Sequence, residues 1–308
     1  MQQLRGTRIL VTGPAGQIAF PVCEALARET AVWGIARFSQ PGSRERCERA
    51  GVRCVEVDLG DPDWSGLPES VDYVLHLAVT MPPGLDYDHA LRVNAEGTGL
   101  LFSRFRSARA AVSVSTCGVY ASAKDPAEPL REDAPLGMTP QAYAPTYPAS
   151  KIGQEAVARF AAREWKLPVT IARMNVSYGA NGGLPAYQLD AMLAGQPVPL
   201  LAGRRSICNP IHEDDIIASV PGLLAAASVP ATILNWGGDE AVDVEEYCRH
   251  LGKLIGKEPR FVETPEGIHH FCLDATRRRA ATGPCRVTWR EGMRRMLADR
   301  HPELALRG

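Results

Sequence analysis

The 308-residue sequence has no long apolar run and no excess of charge of either sign. No stretch approaches the ~20 apolar residues of a membrane-spanning helix, so the sequence predicts no membrane partner. Its 34 basic and 35 acidic residues leave a net charge of −1, which favours no nucleic-acid partner. The first apolar strand begins at Arg8, which leaves no room for a signal peptide. We therefore expect a cytoplasmic protein.

The eight cysteines lack the spacings of a zinc site. There is no C-x-x-C pair and no Cys/His cluster with ligand spacing. Free thiols in a reducing cytoplasm are the better interpretation. The adjacent His269 and His270 do not indicate a metal either, because neighbouring side chains point apart on a helix or a strand. The sequence predicts no metal.

Short apolar segments alternate with longer helical segments through the first 175 residues. Several of the apolar segments are nearly continuous, as in strands of a parallel sheet that is covered on both faces. The predicted strands are 8–12, 31–36, 52–58, 71–78, 111–115 and 169–173, with helices near 21–28, 89–107 and 149–163. This alternation predicts right-handed crossovers and a doubly wound parallel α/β sheet of the Rossmann type.

The rhythm changes after residue 176. Gly182-Gly183 and prolines at 185, 197 and 199 divide the chain into shorter pieces, and one more apolar strand, 232–236, interrupts a mostly helical remainder. We expect residues 1–176 to form a nucleotide-binding domain. Residues 177–308 would form a smaller, mixed, mostly helical substrate lobe, intertwined with the first in one structural unit. Ligands of such sheets bind at the carboxyl edge of the strands.

A glycine-containing turn follows the first strand. Gly13 and Gly16 permit a sharp turn and a close approach to a ligand, and the helix that follows directs free N–H groups at an anion such as a pyrophosphate. Ala19 takes the place of the third glycine of the dinucleotide fingerprint. Many tight strand–helix turns look similar, but the position at the start of a βαβ series favours a dinucleotide site that includes Gln17 and Ile18.

The residues after the second strand favour NADP(H) over NAD(H). An NAD site usually has an acidic side chain there that binds both ribose hydroxyls, whereas this chain has Ala36 followed by Arg37. A guanidinium can bind the 2′-phosphate that a carboxylate would repel, with Ser39 and Arg44 as further candidates. Asp58, at the end of the third strand, is placed to meet the adenine amino group. The alternatives are a solvated loop arginine and a turn-forming aspartate.

Tyr147 and Lys151 form a Y-x-x-x-K motif, which puts both side chains on one face of a helix. A tyrosine with an ordinary pKa near ~10 is a poor base at neutral pH. A neighbouring ammonium stabilises the phenolate, so that Tyr147 can exchange a proton with a substrate hydroxyl while a hydride moves to or from the cofactor. The spacing is common by chance, and its position just beyond the fifth strand is what gives it weight.

These motifs together resemble an extended short-chain dehydrogenase/reductase, the group that includes the NAD-dependent epimerase/dehydratase family. The likeness covers nearly the whole chain. Besides the glycine turn and Y-x-x-x-K, it lies in Leu75-His76-Leu77-Ala78, in Asn94 with Gly97-Thr98, in the segment 114–120, in the segment 173–179 and in Ile211-His212-Glu213-Asp214-Asp215. The resemblance implies the fold predicted above and an enzyme that transfers hydride.

The resemblance also implies site residues beyond the motifs. Thr116 would supply a third catalytic hydroxyl beside Tyr147 and Lys151. The implied further cofactor residues are Leu59, Leu77, Ala78, Val79, Met174, Asn175 and Val176. The implied substrate-side residues are Cys117, Asn175, Arg204, Arg205 and His212.

Departures from the family pattern bear on the substrate. Cys208 stands where members acting on nucleotide sugars often have an arginine for the diphosphate, and Val176 stands where they often have an asparagine. Each change removes a polar contact that a nucleotide diphosphate needs, although Arg204 and Arg205 lie close by and can substitute. Cys117 stands where a dehydratase would have a glutamate, which disfavours elimination.

Three functions stay open. The first is an NAD(P)(H)-dependent oxidoreductase acting at a secondary alcohol or ketone carbon of a small molecule. The second is a sugar or nucleotide-sugar epimerase with transient oxidation, and the third is a non-enzymatic NADP-sensing regulator, a class that typically lacks the tyrosine or the lysine. The resemblance further implies a homodimer in which the helices near 89–107 and 149–163 form a four-helix bundle. The alternative is a monomer in which their apolar residues face the sheet.

Overall fold

The computed structural model describes residues 2–139 and 141–304. The strands there are β1 Arg8–Thr12, β2 Ala31–Ala36, β3 Arg53–Glu56, β4 Tyr73–His76, β5 Ala110–Thr116, β6 Val169–Met174, β7 Ser177–Gly179, β8 Gly182–Gly183, β9 Val198–Leu201, β10 Ile207–Cys208, β11 Ile211–His212, β12 Thr232–Trp236, β13 Val242–Asp243 and β14 Phe261–Thr264. The α-helices are α1 Ala19–Ala27, α2 Ser43–Arg49, α3 Tyr87–Leu91, α4 Gly97–Arg104, α5 Tyr147–Trp165, α6 Leu184–Leu193, α7 Glu213–Ala225, α8 Val244–Ile255, α9 Thr276–Thr282 and α10 Trp289–Arg300.

Seven strands form one sheet in the order β12-β6-β5-β4-β1-β2-β3. Every neighbouring pair in it is parallel. The chain runs outward from β1 to β3 and then returns to the other side of β1 with β4, so the direction of winding reverses between β1 and β4. Dinucleotides bind at such a reversal, outside the carboxyl ends of the strands. The predicted doubly wound α/β sheet is confirmed.

The two faces of the sheet bury two different cores, which explains the continuous apolar runs of the sequence. In β1, Ile9 and Val11 enter the core on one face, where they join α1 and α7 residues such as Val22 and Leu223. Leu10, between them, enters the core on the other face. Neighbouring side chains of a strand point to opposite faces. In a strand that is covered on both sides, successive side chains are therefore all buried, which favours a continuous apolar run.

The second half of the chain contributes to the same sheet. Strand β12 pairs with β6 in parallel, from Thr232 opposite Thr170 to Trp236 opposite Met174. Helices α6, α8 and α10 pack around a separate apolar core with short two- and three-stranded sheets beside it. This agrees with a mixed, mostly helical region after residue 176, while the division of the chain at that residue stays a prediction.

The helix predicted near 89–107 is interrupted. Helix α3 runs into a π-helical turn, Arg92–Glu96, before α4 begins at Gly97. Close packing requires the glycine, because a Cβ at position 97 would lie 2.7 Å from the carbonyl oxygen of Leu59. Single π-turns inside α-helices often occur at functional sites. This one carries Asn94, which turns towards the start of α5 as described below.

A buried ion pair fixes α5 on the sheet. The guanidinium of Arg173 on β6 donates to both carboxylate oxygens of Glu155 on α5, at 2.8 and 2.7 Å. The hydroxyl of Ser115 on β5 donates to the same carboxylate at 2.7 Å, and Arg173 Nη1 donates to the carbonyl oxygen of Glu132 at 3.0 Å. Paired and hydrogen-bonded in this way, both charges are compensated within the core. The pair therefore joins two neighbouring strands to the helix that begins with Tyr147.

Replacing Arg173 with methionine is expected to destabilise the fold strongly, because it leaves the Glu155 carboxylate buried without its counter-charge. Breaking one side of such a pair costs about 3–5 kcal/mol. Arg159→Ala is the matched control, since Arg159 lies 3.8 Å from the same carboxylate but its side chain is 46% exposed. That change should cost at most ~0.5 kcal/mol. Urea unfolding measures both, and equal values for the two variants would contradict the role given to the buried pair.

Candidate active site

A cleft of about 550 Å³ lies along the carboxyl ends of the strands on both sides of the reversal. It is lined by most of the predicted cofactor residues: Gly13, Gly16, Gln17, Ile18, Arg37, Ser39, Asp58, Leu59, Leu77, Ala78 and Val79. The motifs that are far apart in the sequence thus meet along one groove.

The glycine turn leaves its backbone open to this cleft. Gly13 has φ +67°, and a Cβ there would lie 3.1 Å from Cα of Ala78. A Cβ on Gly16 would lie 3.1 Å from the carbonyl oxygen of Gly13. A side chain at either position would clash within the turn or would occupy the space through which a ligand approaches the backbone. The loop therefore fits the pyrophosphate of a dinucleotide, with Gln17 and Ile18 leading into α1.

A chain of buried hydrogen bonds begins beside this turn at Thr12. The Thr12 Oγ1 atom accepts from the backbone N–H groups of Leu77 and Ala78, at 3.0 and 2.8 Å, and lies 2.8 Å from Nδ1 of His76. On the other side of the ring, His76 Nε2 lies 2.8 Å from Oγ1 of Thr98. The Thr98 hydroxyl donates in turn to the carbonyl oxygen of Asn94 at 2.6 Å.

The chain continues from the π-turn to the Y-x-x-x-K helix. The Asn94 amide accepts from Thr80 N at 2.8 Å and donates to Thr80 O at 2.8 Å. It also donates to the Ser150 hydroxyl at 3.0 Å, and Ser150 donates to the carbonyl oxygen of Tyr147 at 3.0 Å. The first residue of α5 is thereby connected to the cofactor turn through side chains of β1, β4, α4 and the π-turn.

A second cavity, of about 500 Å³, contains the predicted catalytic hydroxyls. Thr116, Cys117, Tyr147 and Asn175 line it, and so does Val176, which the sequence assigned to the cofactor side. It shares Gln17, Met81 and Tyr187 with the cofactor cleft, so the two spaces meet there. This arrangement places a substrate cavity next to the end of a dinucleotide cleft.

The Tyr147 side chain is half-buried in the wall of this cavity. Burial raises the pKa of Tyr147, the neighbouring Tyr143 and Cys117 raise it further, and a hydrogen bond with Thr116 opposes the shift. The phenol is therefore protonated and able to give a proton to an oxygen in the cavity. Thr116 is itself held in place, since its hydroxyl accepts from Gly118 N at 3.1 Å at the start of the 3₁₀ turn Cys117–Val119.

Lys151 lies beneath the tyrosine and lines neither cavity. Its Nζ donates to Val114 O at 2.7 Å and to Gln154 Oε1 at 2.6 Å, and lies 5.9 Å from the centre of the Tyr147 ring. Burial lowers the pKa of Lys151 to about 7, while the Glu155 carboxylate opposes the shift. Gln154, three residues further along α5, was not predicted as a partner. It holds the ammonium towards the sheet through its bond to Lys151 and a 2.9 Å bond to Ser113.

Several predicted residues do not reach either cavity. Arg204 donates to the carbonyl oxygen of Ala123 at 2.6 Å, and Arg205 forms an exposed ion pair of 3.2 Å with Asp243. His212 is buried as the N-cap of α7, where its Nδ1 accepts from Asp214 N at 3.2 Å. The structure therefore does not bring these three to the substrate side, because each is bonded to a residue outside the two cavities. Met174 and Arg44 likewise do not line the cofactor cleft.

His269 and His270 line the second cavity, which was not predicted from the sequence. No motif marks the pair, and adjacent histidines suggest only metal ligands. Among the described residues, no group of three His, Cys, Asp or Glu side chains is placed to hold a metal ion. In that part of the chain there is also no helix whose length and apolarity would let it cross a membrane.

The parallel sheet with its glycine turn, and the tyrosine that begins the helix after β5, define an extended short-chain dehydrogenase/reductase. The model of the NAD dependent epimerase/dehydratase family matches residues 9–235, and the chain belongs to this family. Membership confirms the predicted family and the predicted class of NAD(P)-dependent oxidoreductases and epimerases.

Curated relatives are distant. A trifunctional UDP-glucose 4,6-dehydratase/UDP-4-keto-6-deoxy-D-glucose 3,5-epimerase/UDP-4-keto-L-rhamnose-reductase of Arabidopsis thaliana is 23% identical over 94% of this chain and 46% of its own length. The chain thus spans about half of that relative. A chloroplastic divinyl chlorophyllide a 8-vinyl-reductase of Cucumis sativus is 25% identical over 87% of this chain and 62% of its own.

Solved structures share the fold. The UDP-glucuronic acid 4-epimerase of Bacillus cereus, in complex with UDP-glucuronic acid and NAD, is 20% identical with a TM-score of 0.81 over 96% of this chain and 99% of its own. A UDP-N-acetylglucosamine 4-epimerase of Methanobrevibacter ruminantium is 17% identical with a TM-score of 0.83, over 97% of this chain and 100% of its own.

We expect stability to fall in mild acid because His76 is neutral in the fold. Burial lowers its pKa to about 3, and the charge of Lys151 adds to this shift. Below the ordinary pKa of ~6.5 the unfolded chain takes up a proton that the folded chain does not. The free energy of unfolding should therefore decrease as the pH falls from ~6.5, by up to ~1.4 kcal/mol per pH unit for this group.

Urea unfolding at pH values from 8 to 5 measures this slope. His76→Asn should be less stable than the wild type at pH 8. Its free energy of unfolding should also depend less steeply on pH, because unfolding no longer takes up about one proton at this position. His89→Asn, on the surface helix α3, leaves the buried chain of hydrogen bonds intact and should keep the wild-type slope. If His76→Asn also kept that slope, His76 would not be the group that resists protonation.

Proposed function

We propose that the protein is an NADP(H)-dependent oxidoreductase that interconverts a ketone and a secondary alcohol of a small molecule. The observation that carries this proposal is the pair of hydroxyls, Thr116 and Tyr147, in the wall of a cavity that meets the cofactor cleft. Tyr147 donates the proton to the substrate oxygen, or removes it in the other direction, and Thr116 hydrogen-bonds to the same oxygen. When bound, the nicotinamide supplies or accepts the hydride.

Lys151 supports the tyrosine from below. Its buried ammonium lies near the phenol ring of Tyr147. A positive charge there favours the phenolate that forms when Tyr147 loses its proton. The resemblance also implies a contact from Lys151 to the nicotinamide ribose, but its Nζ is bonded to Val114 O and Gln154 Oε1 and lines neither cavity, so this contact is not part of the proposal. These roles make Tyr147 the acid/base and Lys151 the residue that adjusts its pKa.

The charges around the adenosine end of the cleft support NADP(H). Arg37 and Ser39 line it immediately after β2, and Ser43 follows at the start of α2. Asp58 is the one carboxylate among its described lining residues, and its Oδ1 accepts from Gly60 N at 2.8 Å within a turn. A 2′-phosphate would thus meet a guanidinium and hydroxyls after β2, rather than the acidic side chain that binds an NAD ribose.

A sugar or nucleotide-sugar epimerase is the second candidate. The names of the Arabidopsis relative and of the solved structures favour it, since these proteins act on or bind UDP-sugars. An epimerase returns the hydride to the same carbon and keeps its cofactor. Reduced cofactor absorbing near 340 nm in the purified protein would favour this candidate. The presence of both Tyr147 and Lys151 argues against a non-enzymatic regulator.

The cytoplasmic homodimer expected from the sequence is also part of the proposal. On the helices that would pair, Leu101 and Phe102 are buried against the sheet. Leu100 and Phe160 are instead 45% and 55% exposed, which leaves an apolar face for a second copy. We expect light scattering at micromolar concentration to give twice the 33.3 kDa of one chain. A mass of 33.3 kDa would contradict the dimer.

Arg37→Ala is expected to weaken NADP(H) selectively, because it removes the cation that faces the 2′-phosphate. The loss of one charge-assisted contact corresponds to roughly ten- to a hundredfold in affinity. Arg44→Ala is the matched control, since Arg44 pairs with Glu48 at 2.9 Å outside the cleft. Titration of both cofactors by calorimetry measures the change. Equal or tighter NAD(H) binding by the wild type would refute the NADP(H) assignment.

Tyr147→Phe should reduce turnover by at least the ~10²–10⁴ that a positioned acid/base supplies, while cofactor affinity stays nearly constant. Lys151→Met should reduce turnover similarly, because it removes the cation beneath the phenol. Thr116→Val should cost less, because it removes a hydrogen bond and no proton carrier. The competing acid/base is Tyr143, which also lines the cavity. The mechanism is wrong if Tyr143→Phe abolishes turnover and Tyr147→Phe retains it.

A further inference from the structure

One wall of the substrate cavity is the segment 268–271, which is held by side chains from elsewhere in the chain. Gln141 Nε2 donates to the carbonyl oxygen of His269 at 3.1 Å, and His269 N donates back to Gln141 Oε1 at 3.3 Å. Asn175, at the end of β6, donates to the carbonyl oxygen of Phe271 at 2.8 Å. The backbone of this wall is therefore fixed on both sides of His270.

The imidazoles of this wall offer hydrogen bonds that the described residues do not fill. His269 Nδ1 is buried and has no hydrogen-bond partner among them. Burial lowers the pKa of both histidines, that of His270 to about 4, so both rings are neutral and each has one donor and one acceptor nitrogen. Because Nδ1 has almost no accessible surface, a polar group of a ligand in the cavity can bond to the half-buried His269 ring only through its other nitrogen, Nε2.

The rest of the cavity carries no formal charge. Its described lining includes no aspartate, glutamate, lysine or arginine. The nearby Arg204 is engaged by the carbonyl oxygen of Ala123. The charge of Arg204 helps to lower the pKa of His269, but no cationic side chain lines the described wall to pair with a diphosphate, which would enter at a large cost in desolvation. The rings of Tyr143, Tyr187 and Phe271, which also line the cavity, are suited instead to a flat apolar body.

We propose that this cavity takes an uncharged ketone or secondary alcohol with a flat, apolar or aromatic body and a second polar group, a hydroxyl or carbonyl, that bonds to His269. His269 is then a specificity-determining residue, with His270 beside it in the same wall. The inference rests on the proposed hydride-transfer function, because it assigns one end of the ligand to Tyr147 and the other to the histidine wall.

Two matched ketones test the proposal. 4′-(Hydroxymethyl)acetophenone and 4′-ethylacetophenone are similar in size and differ in the hydroxyl at the end away from the ketone. Their dissociation constants are measured by calorimetry on the NADP⁺-loaded protein at pH 7, with UDP as the nucleotide probe. The hydroxymethyl compound should bind roughly tenfold more tightly, as one well-placed hydrogen bond allows, and UDP should not bind measurably.

Variants identify the side chain that hydrogen-bonds to the hydroxyl of the hydroxymethyl compound. His269→Leu should abolish the preference, and His269→Gln, which places an amide near the position of Nε2, should restore part of it. His250→Leu is the matched control, because His250 also has a buried unpaired ring nitrogen but packs against Trp289, away from the cavity. That variant should keep the wild-type preference.

Several outcomes would overturn the proposal: an equal affinity for the two ketones, a preference that survives in His269→Leu, no measurable binding of either ketone, or UDP binding with a dissociation constant in the micromolar range. Turnover with NADPH is followed separately on the same two ketones. Binding with the expected preference but without turnover would refute the proposed hydride transfer and leave the specificity assignment standing.

Discussion

His76 accepts a hydrogen bond at Nδ1 and donates one from Nε2, and the bond accepted at Nδ1 requires an uncharged imidazole. The two lone pairs of Thr12 Oγ1 receive the N–H groups of Leu77 and Ala78, so its proton points to His76 Nδ1. The proton on Nε2 then points to Thr98, whose own proton points to Asn94 O. Each side chain thus donates to the next, from Thr12 beside the cofactor turn to the π-turn. In an imidazolium, Nδ1 would carry a proton and would face Thr12 Oγ1, whose lone pairs are already occupied by the two N–H groups.

The same hydrogen-bonded chain fixes the position of the cofactor cleft relative to the cavity that contains Tyr147. The hydrogen-bonded chain fixes the carboxyl ends of β1 and β4, where the cofactor cleft lies, and reaches the first turn of α5 through Asn94 and Ser150. The pair of Glu155 and Arg173 fixes the same helix two turns further along. Between these two anchors Lys151 is buried beneath Tyr147, which gives a tyrosine hydroxyl of defined position beside the end of the cleft.

The sequence predicted what depends on local pattern and motif. The sheet followed from apolar strands, and the glycine turn, Arg37 and Tyr147, which the residue pattern indicated, line the two cavities together with Thr116, which the resemblance implied. It did not predict what depends on the path of the chain between distant segments. His269 reaches the cavity only because Gln141 and Asn175 hold its segment, and neither bond has a local signal. His212 instead caps the helix that follows it, and Arg204 donates to the carbonyl oxygen of Ala123, a long-range contact that also has no local signal.

The central claim is that Tyr147 and the adjoining cofactor cleft form one hydride-transfer site. It is tested most directly by reducing 4′-(hydroxymethyl)acetophenone with NADPH that carries deuterium at C4 of the nicotinamide. The account predicts deuterium on the carbinol carbon of the product from the wild type, from one face of the nicotinamide only, and almost no product from Tyr147→Phe. Alcohol formed without deuterium at that carbon, or formed at the same rate by the variant, would contradict it.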